Sequence, residues 1–125
     1  MDKQIQKILE KAKTDSQTLA VAIFGSYARN EPYRDIDVCI LLKDEQYTDF
    51  FLAKKRLKFT LENEKYDVQI FQSLPLYIRI KIFKEMKLLF CRNEDALYDL
   101  YFKTERDFEH FEPIYNSYLE GVLNE

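Results

Sequence analysis

Three consecutive segments decide the fold: TLAVAIF (18–24), GSYAR (25–29) and DIDVCILL (35–42). TLAVAIF is an unbroken apolar run, the pattern of a strand buried on both faces. DIDVCILL alternates at its start, so Asp35, Asp37 and Cys39 fall on one face and Ile36, Val38 and Ile40 on the other. Tyr66–Phe71 (YDVQIF) repeats that alternation, with Asp67 and Gln69 opposite Val68 and Ile70. Lys87–Cys91 suits a short fourth strand at an edge. The chain has two glycines, Gly25 and Gly121, so the one that follows the first strand should serve a backbone geometry that other residues disfavour.

Helices fill the intervals. Ile5, Ile8, Leu9 and Ala12 follow the helical period behind Asp2, a plausible N-cap. Tyr47, Phe50, Phe51, Leu57 and Leu61 mark a second helix capped by Asp44, and Pro75 suits the first turn of a third that runs to about Met86. From Glu94 the apolar positions Leu97, Leu100, Tyr101, Phe108 and Phe111 predict a fourth, kinked or broken by Pro113. The order α-β-turn-β-α-β-α-β-α predicts an α/β (α+β) fold with one small mixed sheet flanked by helices. One domain, 1–125, is expected, with 94–125 as its C-terminal helical segment.

Composition sets the class. The chain has 125 residues, 46% hydrophobic and 33% charged, which fits one globular core and excludes disorder or a fibrous repeat. Its longest apolar run, Leu19–Phe24, is far short of the ~20 residues of a bilayer span, and the N-terminus does not read as a signal peptide. Cys39 and Cys91 sit among aliphatic residues without disulfide or metal spacing, so a cytoplasmic location is expected. The net charge of −3 argues against direct nucleic-acid binding. It is unevenly spread: residues 1–92 carry 17 basic and 13 acidic groups, residues 93–125 carry 2 and 9. A positively biased body suits polyphosphate, and the acidic segment is either a partner surface or a solvated helix face.

The chemistry is concentrated between Gly25 and Asp67. Ser26-Tyr27-Ala28-Arg29 opens a short helix whose free N–H groups, with the Ser26 hydroxyl, can meet an anion, and Gly25 allows close approach. Alone, a Gly-Ser after a strand is an ordinary turn. Asp35 and Asp37, two apart on a strand, stand about 7 Å apart on one side and can converge on one or two cations. An isolated Asp-x-Asp is often a pair of exposed loop carboxylates, but here Ile36, Val38 and Ile40 place it on a strand. Asp67 adds a third carboxylate, and magnesium takes such oxygen ligands together with phosphates.

Gly25-Ser26 with Arg29, then Asp35-x-Asp37, then a single Asp67 on a later strand resemble the polymerase-β-type nucleotidyltransferase superfamily. The short length resembles its minimal nucleotidyltransferase (MNT) branch, the antitoxin partners of HEPN-domain toxins. The resemblance covers Leu19 to Phe71 by motif and the C-terminal helices in kind. Asn30 stands where the family usually has glycine, and Arg34 where it often has serine. The resemblance implies a triphosphate across the strand ends, its β- and γ-phosphates held by Gly25 and Ser26, with Arg29 as a further phosphate contact. It implies two Mg2+ ions on Asp35 and Asp37, with Asp67 completing the catalytic metal site and orienting the attacking hydroxyl. It further implies ATP as donor, a tyrosine hydroxyl on a HEPN ribonuclease as acceptor, and a hetero-oligomer of the two proteins.

Two rivals stand beside that reading. One is a nucleotidyltransferase for a small molecule such as an aminoglycoside, which normally needs a further substrate-binding domain. The other is a non-catalytic antitoxin that acts by binding alone. The basic residues Arg79, Lys81, Lys84, Lys87 and Arg92 could attract triphosphate or an RNA-bound partner, or form a solvated helix face. His110 reads as a surface residue and Cys39 as a buried filler.

Overall fold

The computed structural model describes residues 3–60 and 65–123. Five helices, α1 (Lys3–Thr14), α2 (Gly25–Ala28), α3 (Asp49–Thr60), α4 (Leu76–Glu85) and α5 (Glu94–Leu123), surround four strands. These are β1 (Thr18–Phe24), β2 (Ile36–Leu42), β3 (Tyr66–Ile70) and β4 (Lys87–Cys91), in the order β3-β2-β1-β4. The β2–β3 pair is parallel and the other two pairs are antiparallel, so the sheet is mixed.

β1 and β2 are apolar on both faces because both faces are covered. On one, Ile5, Ile8 and Ala12 of α1 with Leu52 and Phe59 of α3 pack on Val21, Val38, Ile40, Val68 and Ile70. On the other, Ile82 of α4 and Leu100 of α5, with Phe71, pack on Ala20, Ala22, Cys39 and Leu41. Each fully buried aliphatic or aromatic side chain stabilises the sandwich by roughly 1.5–3 kcal/mol. The small residues of β1 let the helices of the second face approach closely.

Two polar clusters tie the ends of this sandwich. Asp15, just past α1, is 7% exposed and accepts hydrogen bonds from Lys55 Nζ at 2.8 Å, Lys58 Nζ at 3.3 Å and the Gln17 amide at 3.0 Å. Burial pushes its carboxyl up, but the two lysines and the amide outweigh that and hold it below its usual range. Arg92 donates from Nη2 to the carbonyls of Ala12, Lys13 and Asp15 and from Nε to that of Thr18, at 2.8–3.2 Å. It thereby satisfies carbonyls that the end of α1 leaves without helical partners.

Several expectations need correction. Asp35 lies in the bend before β2 and Phe71 in a 3-10 turn after β3, so each strand is one residue shorter than its sequence pattern. α3 is capped by Thr48, whose hydroxyl accepts from the Phe51 amide at 3.1 Å, and not by Asp44, which pairs with Lys103 on α5. Its buried side chains are Leu52 and Phe59, while Phe50 and Leu57 face solvent. The two fully apolar-looking positions lost to Leu52 and Phe59 because the sheet, not the count of apolar residues, sets the rotation of the helix. α5 continues unbroken through Pro113. Proline there removes a bond only to the Glu109 carbonyl, and Glu109 is exposed, so water can take its place. Arg92 and Arg79 are structural: Arg79 donates to the carbonyls of Leu74 and Gln72 and is held below its usual range by burial. The Asp2 cap and Leu61 lie outside the described residues.

Candidate active site

The sheet register assembles the acidic residues. Phe24, the last residue of β1, faces Asp37 of β2, and Asp37 faces Asp67 of β3. Because β1 ends where β2 and β3 begin, the turn after β1 and both aspartates share one edge of the sheet. Gly25 opens α2 at φ +76, a left-handed conformation. A Cβ built on it would stand 3.2 Å from Cγ of Asp37 and closer still to Oδ2. Glycine is thus required twice, for its backbone angle and for the room it leaves the carboxylate. Asn30 closes the turn at φ 58, which asparagine tolerates in place of glycine.

Asp37 is half-buried, whereas Asp35 is exposed in the bend before β2. Burial pushes the Asp37 carboxyl above its usual range, and the charges of Asp67 and Asp35 push it further. Such a set of hard, mutually repelling oxygens matches the chemistry of a divalent cation of the magnesium kind. In the present arrangement the three do not close around one point. Among the described residues no group of three His, Cys, Asp or Glu side chains is placed to hold a metal ion. Asp67 instead accepts from Gln69 Nε2 at 3.2 Å and stands 3.6 Å from the Arg56 guanidinium. Beside Asp37 lies a cleft of about 190 Å³ walled by Gly25, Ser26 and Arg29 on one side and Ile78, Lys81 and Glu85 of α4 on the other.

Residues 3–95 match the family model described as polymerase beta, nucleotidyltransferase. The chain belongs to that nucleotidyltransferase family. A candidate protein adenylyltransferase of Methanocaldococcus jannaschii is 36% identical over 77 residues, which cover 60% of this nucleotidyltransferase and 57% of the relative. The chain therefore matches little more than half of that relative's length. A chain of a toxin–antitoxin crystal structure with AMP-PNP superposes with a TM-score of 0.71 at 18% identity, covering 96% of each chain. A chain of tri-AMPylated Shewanella oneidensis HEPN toxin in complex with MNT antitoxin superposes at 0.68 and 16% identity, covering 96% of this chain and 93% of that one. At such identities these two structures speak for the fold of the nucleotidyltransferase alone.

Within this nucleotidyltransferase the residues singled out from sequence do not stand equally. Gly25, Ser26 and Asp37 meet in one cleft; Asp67 adjoins it by register, and Asp35 flanks it. Arg29 lines the cleft but is already committed, donating to Glu31 at 2.7 Å and to both oxygens of Glu85 at 3.0 and 3.1 Å. Those two carboxylates raise its pKa further, Glu31 first, and Arg29 in turn holds Glu31 below its usual range. Glu85 also accepts from the Gly25 amide at 3.1 Å, so a carboxylate sits where an anion was expected to meet that turn. Sequence reading missed Glu85. It ends α4 two residues before Lys87, which pairs with Ile23, and only that register carries it to Gly25. Lys81, one helical turn before Glu85, is the lysine among the cleft residues.

Other candidates fall away. Cys39 is fully buried, and burial raises its thiol far above the usual range, so it is a core filler. His110 is exposed on α5. A larger cavity, about 440 Å³, lies between α4, β4 and α5 and shares no lining residue with the cleft at Asp37. No described helix is long and apolar enough to cross a membrane.

Proposed function

We propose that this nucleotidyltransferase is an antitoxin that transfers AMP from ATP to a tyrosine hydroxyl of a HEPN ribonuclease. The observation that carries the reading is the contact of the Asp37 carboxylate with the left-handed Gly25, next to Asp67. It reserves one site for oxygen ligands beside a backbone turn that can meet phosphate. The names of the relatives, a candidate protein adenylyltransferase and an MNT antitoxin bound to an AMPylated HEPN toxin, support the acceptor class.

In this reading Gly25, Ser26 and Lys81 hold the β- and γ-phosphates, and Arg29 is released to them when the triphosphate displaces Glu85. Asp35, Asp37 and Asp67 would hold two magnesium ions, which would supply charge neutralisation at the phosphates and a more acidic acceptor hydroxyl. Asp67 orients the phenol and takes its proton. The phenolic oxygen forms a bond to the α-phosphorus, the α–β anhydride breaks, and pyrophosphate leaves. A phenol of pKa ~10 gives up its proton more readily than an aliphatic hydroxyl. The AMP diester would then place an anion beside the toxin's RNA-binding surface and repel its substrate.

The test mixes the purified pair with magnesium and each of the four nucleoside triphosphates and reads intact masses. An AMP-sized adduct on the toxin, formed with ATP and lost with Asp37→Asn, is expected. Inhibition of the toxin without any adduct would transfer the function to binding alone. Asp37→Asn should leave the metal-free fold as stable as before or more so, since it removes a charge that burial and two neighbours disfavour.

A further inference from the structure

α3 is apolar on two sides. Leu52 and Phe59 form its buried stripe against the sheet. At 100° per residue Phe50, Ala53 and Leu57 form a second stripe on the side away from the sheet. All three are exposed, Phe50 by 75% and Leu57 by 58%. The two large side chains stand about 10 Å apart along the helix axis. A helix that is apolar on both sides is ordinarily covered on both, and among the described residues nothing covers the outer one.

Charge is uneven across that stripe. Along one flank run Lys54 and Lys58, one turn apart, and the Lys11 amine of α1 reaches the Lys58 carbonyl at 3.0 Å, so a third lysine joins the row. Lys54 Nζ stands 5.6 Å from the centre of the Phe50 ring and meets no carboxylate among the described residues. Lys58 shares the buried Asp15 with Lys55, so one carboxylate serves two ammonium groups. On the other flank Asp49 and Arg56 offset each other. Two copies of this face paired antiparallel would set the lysine rows against each other, and paired parallel would set them against a flank of no net charge. An acidic flank is what complements the row, and such border charges select the partner.

Arg56 fixes where this surface lies. Its Nε donates to the Val68 carbonyl at 2.9 Å, and its Nη2 stands 3.6 Å from Oδ1 of Asp67. A macromolecule seated on α3 is therefore one helix flank away from a carboxylate of the candidate site. Two large side chains about 10 Å apart fit the anchors of a single helix, whereas a helix lying on a membrane buries a broad apolar face.

We infer that the outer face of α3 is the docking surface for an acidic amphipathic helix of the protein that accepts the transfer, its apolar residues on Phe50 and Leu57 and its carboxylates on the lysine row. This rests on the reading above in taking the acceptor to be a protein, while the docking itself needs no nucleotide.

The full chain is titrated by fluorescence anisotropy with three synthetic 21-residue helical peptides. One has leucine at the a and d positions and glutamate at e and g, the second has lysine in place of glutamate, and the third keeps the glutamates but scrambles the leucines. The glutamate-flanked seam should bind, and both others should bind at least about tenfold more weakly. Phe50→Ser with Leu57→Ser, which leaves every charge in place, should weaken the first peptide about tenfold or more with thermal unfolding unchanged. Lys54→Glu should weaken it about threefold or more. Ile114→Ser, at an exposed apolar position on α5, should leave binding as it was. No binding of the first peptide, equal binding of any two peptides, or an equal loss with Ile114→Ser overturns the proposal. So does co-sedimentation with vesicles of phosphatidylserine and phosphatidylcholine that the serine pair abolishes, since a membrane would then be the occupant. A dimer of the chain alone that Leu57→Ser dissociates would make a second copy the occupant and overturns it too. Because no nucleotide or toxin is present, failure of this test and failure of AMP transfer are read separately.

Discussion

Replacing Gly25 by alanine probes the turn, the carboxylate and the chemistry at once. Alanine at φ +76 pays the left-handed penalty of roughly 1–2 kcal/mol. Its Cβ would also stand 3.2 Å from Cγ of Asp37, with Oδ2 nearer. The side chain yields before the paired β2 backbone, and a forced rotamer costs about 0.5–1.5 kcal/mol. The total is about 1.5–3.5 kcal/mol, which for a domain of this size lowers Tm by roughly 6–14 °C. The same movement shifts the carboxylate by about an ångström, enough to cost on the order of a hundredfold in transfer. Calorimetry reads the first number, and label transferred from the α-phosphate of the triphosphate reads the second. Asn30→Gly is the control: it occupies φ 58 without strain and should leave both within error. Unchanged Tm and unchanged transfer in Gly25→Ala would refute the packing of Asp37 against this turn. A lower Tm with full transfer would remove Asp37 from the reacting centre.

Further expectations concern the polar clusters. Arg92→Ala strands several carbonyls at the end of α1 and should cost about 3 kcal/mol in urea unfolding, whereas Lys87→Ala stays within about 0.5 kcal/mol. Lysine at 92 should rescue little, because one ammonium cannot span the carbonyls that Nε and Nη2 of the planar guanidinium reach together. Because Asp15 has its pKa lowered on folding, its contribution is present above its ordinary value of 3.8 and is lost as pH falls through the lower folded value. Asp15→Asn should therefore be less stable at pH 7 and show a shallower loss of Tm below pH 3.8. Lys81→Ala should raise KM for the triphosphate about tenfold with kcat less affected. Glu85→Gln, which removes the anion already seated on Gly25 and Arg29, should lower KM; a raised KM would mean that Glu85 holds the turn open instead of occupying it.

What could be read in the chain was what depends on neighbours in sequence. The unbroken apolar run of β1, the alternation of β2 and β3, and the left-handed tolerance of Gly25 and Asn30 are local properties, and each element stands where those patterns put it, save one end residue each of β2 and β3. The pairing of Asp37 with Asp67 needed a strand register, yet the period of two had already placed both on polar faces. Other features depend on contacts between distant segments and had no local signal. Thr48 caps α3 because the chain turns there, while Asp44 is drawn to Lys103 of α5. Leu57 looked like a core residue until the sheet fixed the rotation of α3. Arg92 looked like a surface charge because the carbonyls it serves lie about eighty residues earlier. Glu85 was invisible for the same reason.

β1 lies between partners drawn from different parts of the chain. It pairs with β2, some twenty residues on, and with β4, where Ala20 meets Cys91. The first closure is short, and the second must wait for most of the chain to be ordered. The β1–β2 hairpin, with Gly25 and Asp37 already apposed, can therefore form early, whereas Glu85 and Lys81 reach the cleft only when β4 docks. An intermediate lacking β4 would own its carboxylates but no α4 wall, and would leave one edge of β1 open to pairing with other chains. Pulsed hydrogen exchange during refolding should show the amides of β2 protected before those of β4. During synthesis, the window between emergence of residue 42 and residue 91 is thus when the open edge of β1 is most exposed to pairing with other chains.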